Sequence, residues 1–201
     1  MMTDTGIPTV LNPLLSPELR TEVEFFQKWG YLVVENATTT EQVEVLRQAI
    51  DLAYQEAQSQ FIGDLLEQDD RFLFLLDNPP VLQRIKAILG NCIQLHSATS
   101  RVTKPGEGDQ NWHRDGGSIY TPRLDYLQVF YIPEECTDEM GPTVVLPGSH
   151  FMRAKAPMMA HYGTIKGTVS TAGPAGSIFL TVYSIWHKRS RATATPTGGR
   201  K

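Results

Sequence analysis

The feature that most constrains the fold of this 201-residue chain is a change of hydrophobic period at Gly90. Before it, apolar residues recur at helical spacing; after it they come in short runs bounded by glycine and proline. Ser16, Pro17 and Glu18 supply an N-cap, a proline for the first helical position and an acid for the first turn. Leu19, Val23 and Phe26 then share one face, and Gly30 ends the run. Tyr31 to Val34 reads as a short strand. Thr39 and Gln42 are spaced as a capping box. The stripe Val43, Leu46, Ile50, Ala53 and Ala57 follows it; this is too short for a coiled coil and is expected to pack against a sheet. Pro79-Pro80 opens a further helix, with Val81, Ile85 and Ile88 inside and Gly90 past its end.

Beyond Gly90, residues 92–102, 126–132, 143–146 and 177–183 read as strands, with the turn-forming segment Lys104 to Asp109 between the first two. Helices first and many short strands later predict an α+β domain built on an antiparallel barrel or jelly roll. The chain is expected to be one domain over 1–201, mainly helical over 16–90 and a β-barrel over 91–201. Its 41% hydrophobic and 20% charged residues are those of an ordinary folded protein. The net charge of −4, without a basic block, argues against a nucleic-acid partner. No apolar run is long enough to span a bilayer, and the first residues lack the pattern of a secretory leader. Cys92 and Cys136 stand far apart with no C-x-x-C spacing, as expected of reduced thiols in a cytoplasmic protein.

Within the β half, His113-Arg114-Asp115 is followed much later by His187. On an extended segment the period of two puts His113 and Asp115 on one side and turns Arg114 to the other. Two imidazoles and one carboxylate make a face that leaves metal positions open, as non-haem Fe(II) oxygenases require. Other histidines compete as third ligand. His150 follows the Pro147-Gly148 turn and reads as a loop residue, as does His161. His96, between Leu95 and Ser97, reads equally as a hydrogen-bonded histidine of a strand. His187 is favoured because it comes directly after a long apolar strand.

Three stretches carry a resemblance: Trp112 to Asp115, Gly141 to His150, and Gly176-Ser177 through Trp186-His187. Together they resemble the phytanoyl-CoA dioxygenase family, in detail over residues 92–201. The resemblance implies a double-stranded β-helix (jelly-roll, cupin-like) core with N-terminal helices packed on it. It implies an enzyme using Fe(II), 2-oxoglutarate and O2 to hydroxylate or otherwise oxidise a small organic molecule, with release of succinate and CO2. By the same resemblance His113, Asp115 and His187 are the iron ligands, while His150 belongs to a Gly-Ser-His signature outside the ligand set and is structural or pocket-shaping. Arg200 is the match for the arginine that grips the far carboxylate of 2-oxoglutarate in a two-pronged ion pair, with Arg189 and Arg191 as rivals. Ser190, Thr195 or Thr197 supplies a hydroxyl beside it.

Gln128 and Phe130, two apart on one strand face, match positions lining the cosubstrate pocket and also read as plain barrel interior. Asp115 favours hydroxylation, since related halogenases carry a small residue in place of this carboxylate. Trp112, Tyr120, Tyr126 and Trp186 are candidates for an apolar substrate pocket, and each reads more readily as core. The family pattern runs on through a further strand, whereas the sequence ends at Lys201, so a truncated or non-catalytic metal- or cosubstrate-binding homologue stays open. A Zn(II) hydrolase using the same triad is a third reading. Oligomeric state is not legible.

Overall fold

A computed structural model of the protein describes residues 15–116 and 124–193. Helix α1 (Pro17–Trp29) starts where Ser16 Oγ accepts the Leu19 N–H at 3.2 Å. It stops at Gly30, whose N–H returns to the Phe26 carbonyl at 2.7 Å. Strand β1 (Tyr31–Val34) leads to α2 (Thr40–Ala57), where both halves of the Thr39/Gln42 capping box form. Short elements follow: β2 (Phe61–Ile62), α3 (Leu65–Gln68) and a 3-10 turn over Asp70–Leu75. Helix α4 (Pro79–Leu89) is capped by Asn78, and β3 (Ser100–Arg101) pairs with β2. The remaining elements are β4 (Leu127–Tyr131), β5 (Thr143–Val145), a 3-10 turn over Ser149–Phe151, α5 (Ala156–Met159), β6 (Val169–Ser170), β7 (Ile178–Val182) and β8 (His187–Arg189).

The strands form two three-stranded antiparallel sheets, ordered β1-β7-β4 and β6-β5-β8, beside the β2-β3 pair. The first sheet buries both faces. On one, Leu32, Val34, Ile178, Leu180 and Val182 meet Val23 and Phe26 of α1 and Val81 and Ile88 of α4. On the other, Tyr31, Phe130 and Phe179 meet Val145 and Val169 of the second sheet. Tyr31 stacks on Phe179 with ring centroids 5.5 Å apart. That inner face also carries Gln128, paired with Thr181 in the ladder, because residues two apart on a strand share a side. All five residues of β7 are buried, as its position at the centre of the sheet requires. The result is a mixed α and β fold with an inter-sheet space into which polar residues point.

Two strand expectations change. Of residues 92–102 only Ser100–Arg101 is strand, while Ile93 and Leu95 stay 36% and 51% exposed. The segment before Ser100 has no ladder partner among the described residues, and an apolar alternation without a partner strand makes no sheet. The apolar run before His187 also ends earlier than expected. At Val182 the chain turns, the Ile185 N–H bonding back to the Val182 carbonyl at 3.0 Å, and His187 opens a separate strand in the other sheet. The stripe of α2 packs mainly on Ile62, Leu65 and Phe72 rather than on a large sheet. Among the described residues no helix is long and apolar enough to cross a membrane.

Candidate metal centre

His113 and His187 lie opposite each other in an isolated antiparallel bridge, each N–H donating to the other's carbonyl at 3.0 Å. Directly opposed residues project to the same side of a ladder, and the two imidazole centroids are 4.4 Å apart. Asp115, two residues on, returns to that side. Its Oδ1 is 3.8 Å from His113 Nε2 and its Oδ2 is 3.4 Å from His187 Nε2. One ligand atom from each residue falls within a 4.8 Å cluster.

The hydrogen bonds fix which nitrogens face inward. His113 Nδ1 is 2.8 Å from the Asn111 carbonyl, and His187 Nδ1 is 3.1 Å from the Ile185 carbonyl. A carbonyl only accepts, so each Nδ1 carries a proton and each ring turns its Nε2 to the cluster. Two nitrogen lone pairs and a carboxylate within a few ångströms repel unless a cation or a proton lies between them. The donor set suits Fe(II) or Zn(II) and contains no sulfur. The bond with His187 holds the Asp115 carboxyl below its ordinary pKa, aided by Gln128 and opposed by burial, so the ligand form is the ionised one.

Gln128 reaches in from the first sheet, its Nε2 donating to Asp115 Oδ2 at 2.5 Å. The buried Thr181 hydroxyl lies 3.4 Å from the Gln128 carbonyl oxygen. The site opens to one side: the His187 side chain is 9% exposed, against 38% for His113 and 31% for Asp115. Above Asp115, Gly116 packs against Tyr183, where a Cβ would come within 2.8 Å of the ring. Tyr183 in turn lies against Tyr126, with centroids 4.2 Å apart.

The other candidates sit elsewhere. His150 is buried, with Nε2 3.1 Å from the Gln27 carbonyl, and burial pushes its pKa down. His96 and His161 are exposed, and His96 meets Tyr126 edge-on instead of lying in a strand. Phe130 is in the inter-sheet cluster. The Ser190 hydroxyl donates to the Pro142 carbonyl at 2.7 Å. Arg189 pairs with Glu107 at 3.1 Å, and the Arg191 main-chain N–H donates to Asp109. Trp112 and Trp186 are buried with Met159, in keeping with the core reading rather than pocket lining. Tyr120, Thr195, Thr197 and Arg200 lie outside the described residues. Sequence reasoning missed Thr181 and Tyr183. A threonine inside the apolar run 177–183 was the available signal for the first; nothing local marked the second.

The family model for phytanoyl-CoA dioxygenase (PhyH) matches residues 26–198. Uncharacterised proteins of Mycobacterium bovis and Mycobacterium tuberculosis are each 23% identical over 137 residues, covering 65% of this chain and 49% of theirs. The chain thus spans about half the length of these curated relatives. Among solved structures, EctD from S. alaskensis with bound Fe is similar with a TM-score of 0.75 at 21% identity, over 95% of this chain and 77% of that one. The non-haem alpha ketoglutarate dependent carbocyclase SnoK from nogalamycin biosynthesis is similar with a TM-score of 0.72 at 16% identity, over 90% and 79%. At these identities the likeness establishes the fold.

Proposed function

The chain belongs to the phytanoyl-CoA dioxygenase family, and from that premise we propose that it is an Fe(II)- and 2-oxoglutarate-dependent dioxygenase. It would hydroxylate or otherwise oxidise a small organic molecule and release succinate and CO2. The observation that carries this reading is the convergence of His113 Nε2, His187 Nε2 and an Asp115 oxygen, with both Nδ1 atoms tied to carbonyls. The fold relative EctD binds Fe and has been seen with 2-oxoglutarate and 5-hydroxyectoine, which supports the same cofactor pair here. We read the two sheets as halves of a double-stranded β-helix, and residues 1–201 as one domain. A reducing, cytoplasmic location agrees with the two free cysteines.

Fe(II), when bound, supplies the activation of O2, with 2-oxoglutarate as the source of electrons. The chain's own residues do the positioning. His113 and His187 would offer the ion their Nε2 atoms and Asp115 an ionised oxygen. The opening beside His113 is left to cosubstrate and O2. Gln128 engages Asp115 Oδ2, which leaves Oδ1 as the oxygen available to a metal. Phe130 closes the inter-sheet side and excludes water. Arg189 is engaged by Glu107, which favours Arg200 for the far carboxylate of 2-oxoglutarate. The accompanying hydroxyl falls to Thr195 or Thr197 unless Ser190 leaves Pro142. The carboxylate at position 115 favours hydroxylation over halogenation.

The test is succinate formation from 2-oxoglutarate by the purified chain with Fe(II), ascorbate and O2, alongside His187→Ala. Wild-type turnover that is absent from the variant supports the reading. A wild-type protein that takes up no Fe(II) sinks it; uptake without succinate returns the chain to a non-catalytic metal-binding homologue.

A further inference from the structure

The residues beside the ligands, which turn away from the metal face, converge on a single buried turn. Arg114 lies between His113 and Asp115, and its Nη2 donates to the Ser149 carbonyl at 3.0 Å and also to the Met152 carbonyl. Trp186 precedes His187, and its main-chain N–H donates to Ser149 Oγ at 2.8 Å. The Leu146 N–H donates to the Trp186 carbonyl at 2.9 Å, closing the same turn from its other end. The two outward side chains also touch, the Arg114 guanidinium lying 4.6 Å from the centre of the Trp186 ring. Ser149 is 1% exposed. Its turn is tied to the end of α1, with the Gly148 N–H on the Trp29 carbonyl at 2.7 Å and His150 Nε2 3.1 Å from the Gln27 carbonyl.

We propose that Ser149 and Arg114 are positioning residues: Ser149 receives one bond from each ligand-bearing segment, and the pair sets the spacing of His113, Asp115 and His187 before any ion arrives. The inference rests on the reading of that triad as a metal centre. The segments are also paired at the His113–His187 bridge and, on the Gln110 side of it, by the Gln110 N–H on the Arg189 carbonyl at 3.0 Å; on the Asp115 side Ser149 supplies the tie. With no ion among them the three groups are held to one another by side-chain contacts such as Asp115 Oδ2 to His187 Nε2 at 3.4 Å, so an anchor behind them sets where the donor atoms stand. Ser149 provides one on each segment, at the position adjacent to a ligand, where a small shift is passed directly to the donor atom.

Arg114 also offers a clean test of positioning. Its Nε and Nη1 are buried with no hydrogen-bond partner among the described residues. Replacing it by methionine therefore relieves buried, unmatched donors while removing two bonds to carbonyls, and the metal-free stability should change little. The effect should appear in the geometry of the site instead.

The experiment is a titration of wild type, Ser149→Ala, Arg114→Met and Arg114→Lys with Co(II), read by its d–d absorption bands. Urea unfolding of each metal-free protein runs in parallel. Ser149→Ala and Arg114→Met are expected to bind Co(II) about 10–100-fold more weakly, with displaced bands; Arg114→Met should keep a near-wild-type urea midpoint, whereas Ser149→Ala, which strands the buried Trp186 N–H, should lower it. Arg114→Lys, which can reach one carbonyl at a time, should fall between Arg114→Met and wild type. If Ser149→Ala does not fold, the two Arg114 variants carry the test alone. Equal affinities and superimposable spectra across the set overturn the inference, as does a loss of affinity that only tracks a loss of metal-free stability. A wild type that takes up no Co(II) fails differently: it removes the metal reading, and this inference with it.

Discussion

Both imidazoles of the candidate centre are oriented by the same local device. In each, Nδ1 bonds to the carbonyl two residues earlier, Asn111 for His113 and Ile185 for His187, so the chain around the histidine sets its own tautomer. Asp115 has no such local partner and is steadied across the inter-sheet space by Gln128. Gln128→Leu should therefore weaken metal binding about 10-fold, within the range seen when a ligand's hydrogen-bond partner is lost. Calorimetric titration with Fe(II) under anaerobic conditions measures it, and an unchanged affinity would show that Asp115 stands without Gln128. A second residue-scale expectation concerns Asp69, whose carboxyl Arg71 holds down from an ordinary 3.8 to about 2. Because the folded pKa is depressed, the stabilisation is complete above 3.8 and is lost as pH falls through about 2. Arg71→Ala should return the Asp69 titration, followed by NMR, toward 3.8, and a midpoint that stays put counts against the ion pair.

At the scale of elements, the junction of α1 and β1 is the tightest constraint outside the site. Gly30 has φ 79°, and a Cβ there would lie 2.6 Å from His150 Nδ1. Gly30→Ala should cost about 1–3 kcal/mol from the backbone alone, with the collision in addition. Adding His150→Ala should recover the collision part but not the backbone part, so the two substitutions will not be additive in urea unfolding. The cap of α2 gives a milder expectation. Thr39 Oγ1 accepts the Gln42 N–H at 3.2 Å and the Gln42 side chain accepts the Thr39 N–H at 2.9 Å. Thr39→Ala should cost about 1 kcal/mol by the same measurement, and a neutral result would mean that solvent replaces the cap fully.

For the molecule as a whole, the triad and its partners span both sheets: His187 belongs to β8 of the second, and Gln128 to β4 of the first. An ion held there would sit beside the Tyr31, Phe130, Phe179 and Val145 cluster, since Val145 pairs with His187 and Phe130 lies two residues from Gln128. A ligand that binds only the folded state stabilises it by about 2.7 kcal/mol at a hundredfold excess over its Kd. Fe(II) or Co(II) should accordingly raise the thermal midpoint of the wild type and leave that of His187→Ala where it was. A rise of equal size in both proteins would place the ion elsewhere.

What the sequence determined by itself was whatever depends on near neighbours along the chain. The caps of α1 and α2 and the Pro79 start of α4 are interactions within about four residues, and they formed where the spacing predicted them. The relation of His113 to Asp115 is of the same kind, since period two alone puts them on one side. The partners of strands are chosen at long range, and there the local pattern failed. Residues before Ser100 look like a strand and find no ladder partner among the described residues. The run ending at Val182 looks continuous with His187 and instead turns into the opposite sheet. Tertiary structure alone decided that His187 would face His113 while His150, equally polar and equally near a turn, would be buried against α1. It also decided that Gln128 would meet Asp115 and that Ser149 would join both ligand segments. These contacts depend on which strands lie across from one another, and that choice is made by burial of the whole core rather than by any short stretch of chain.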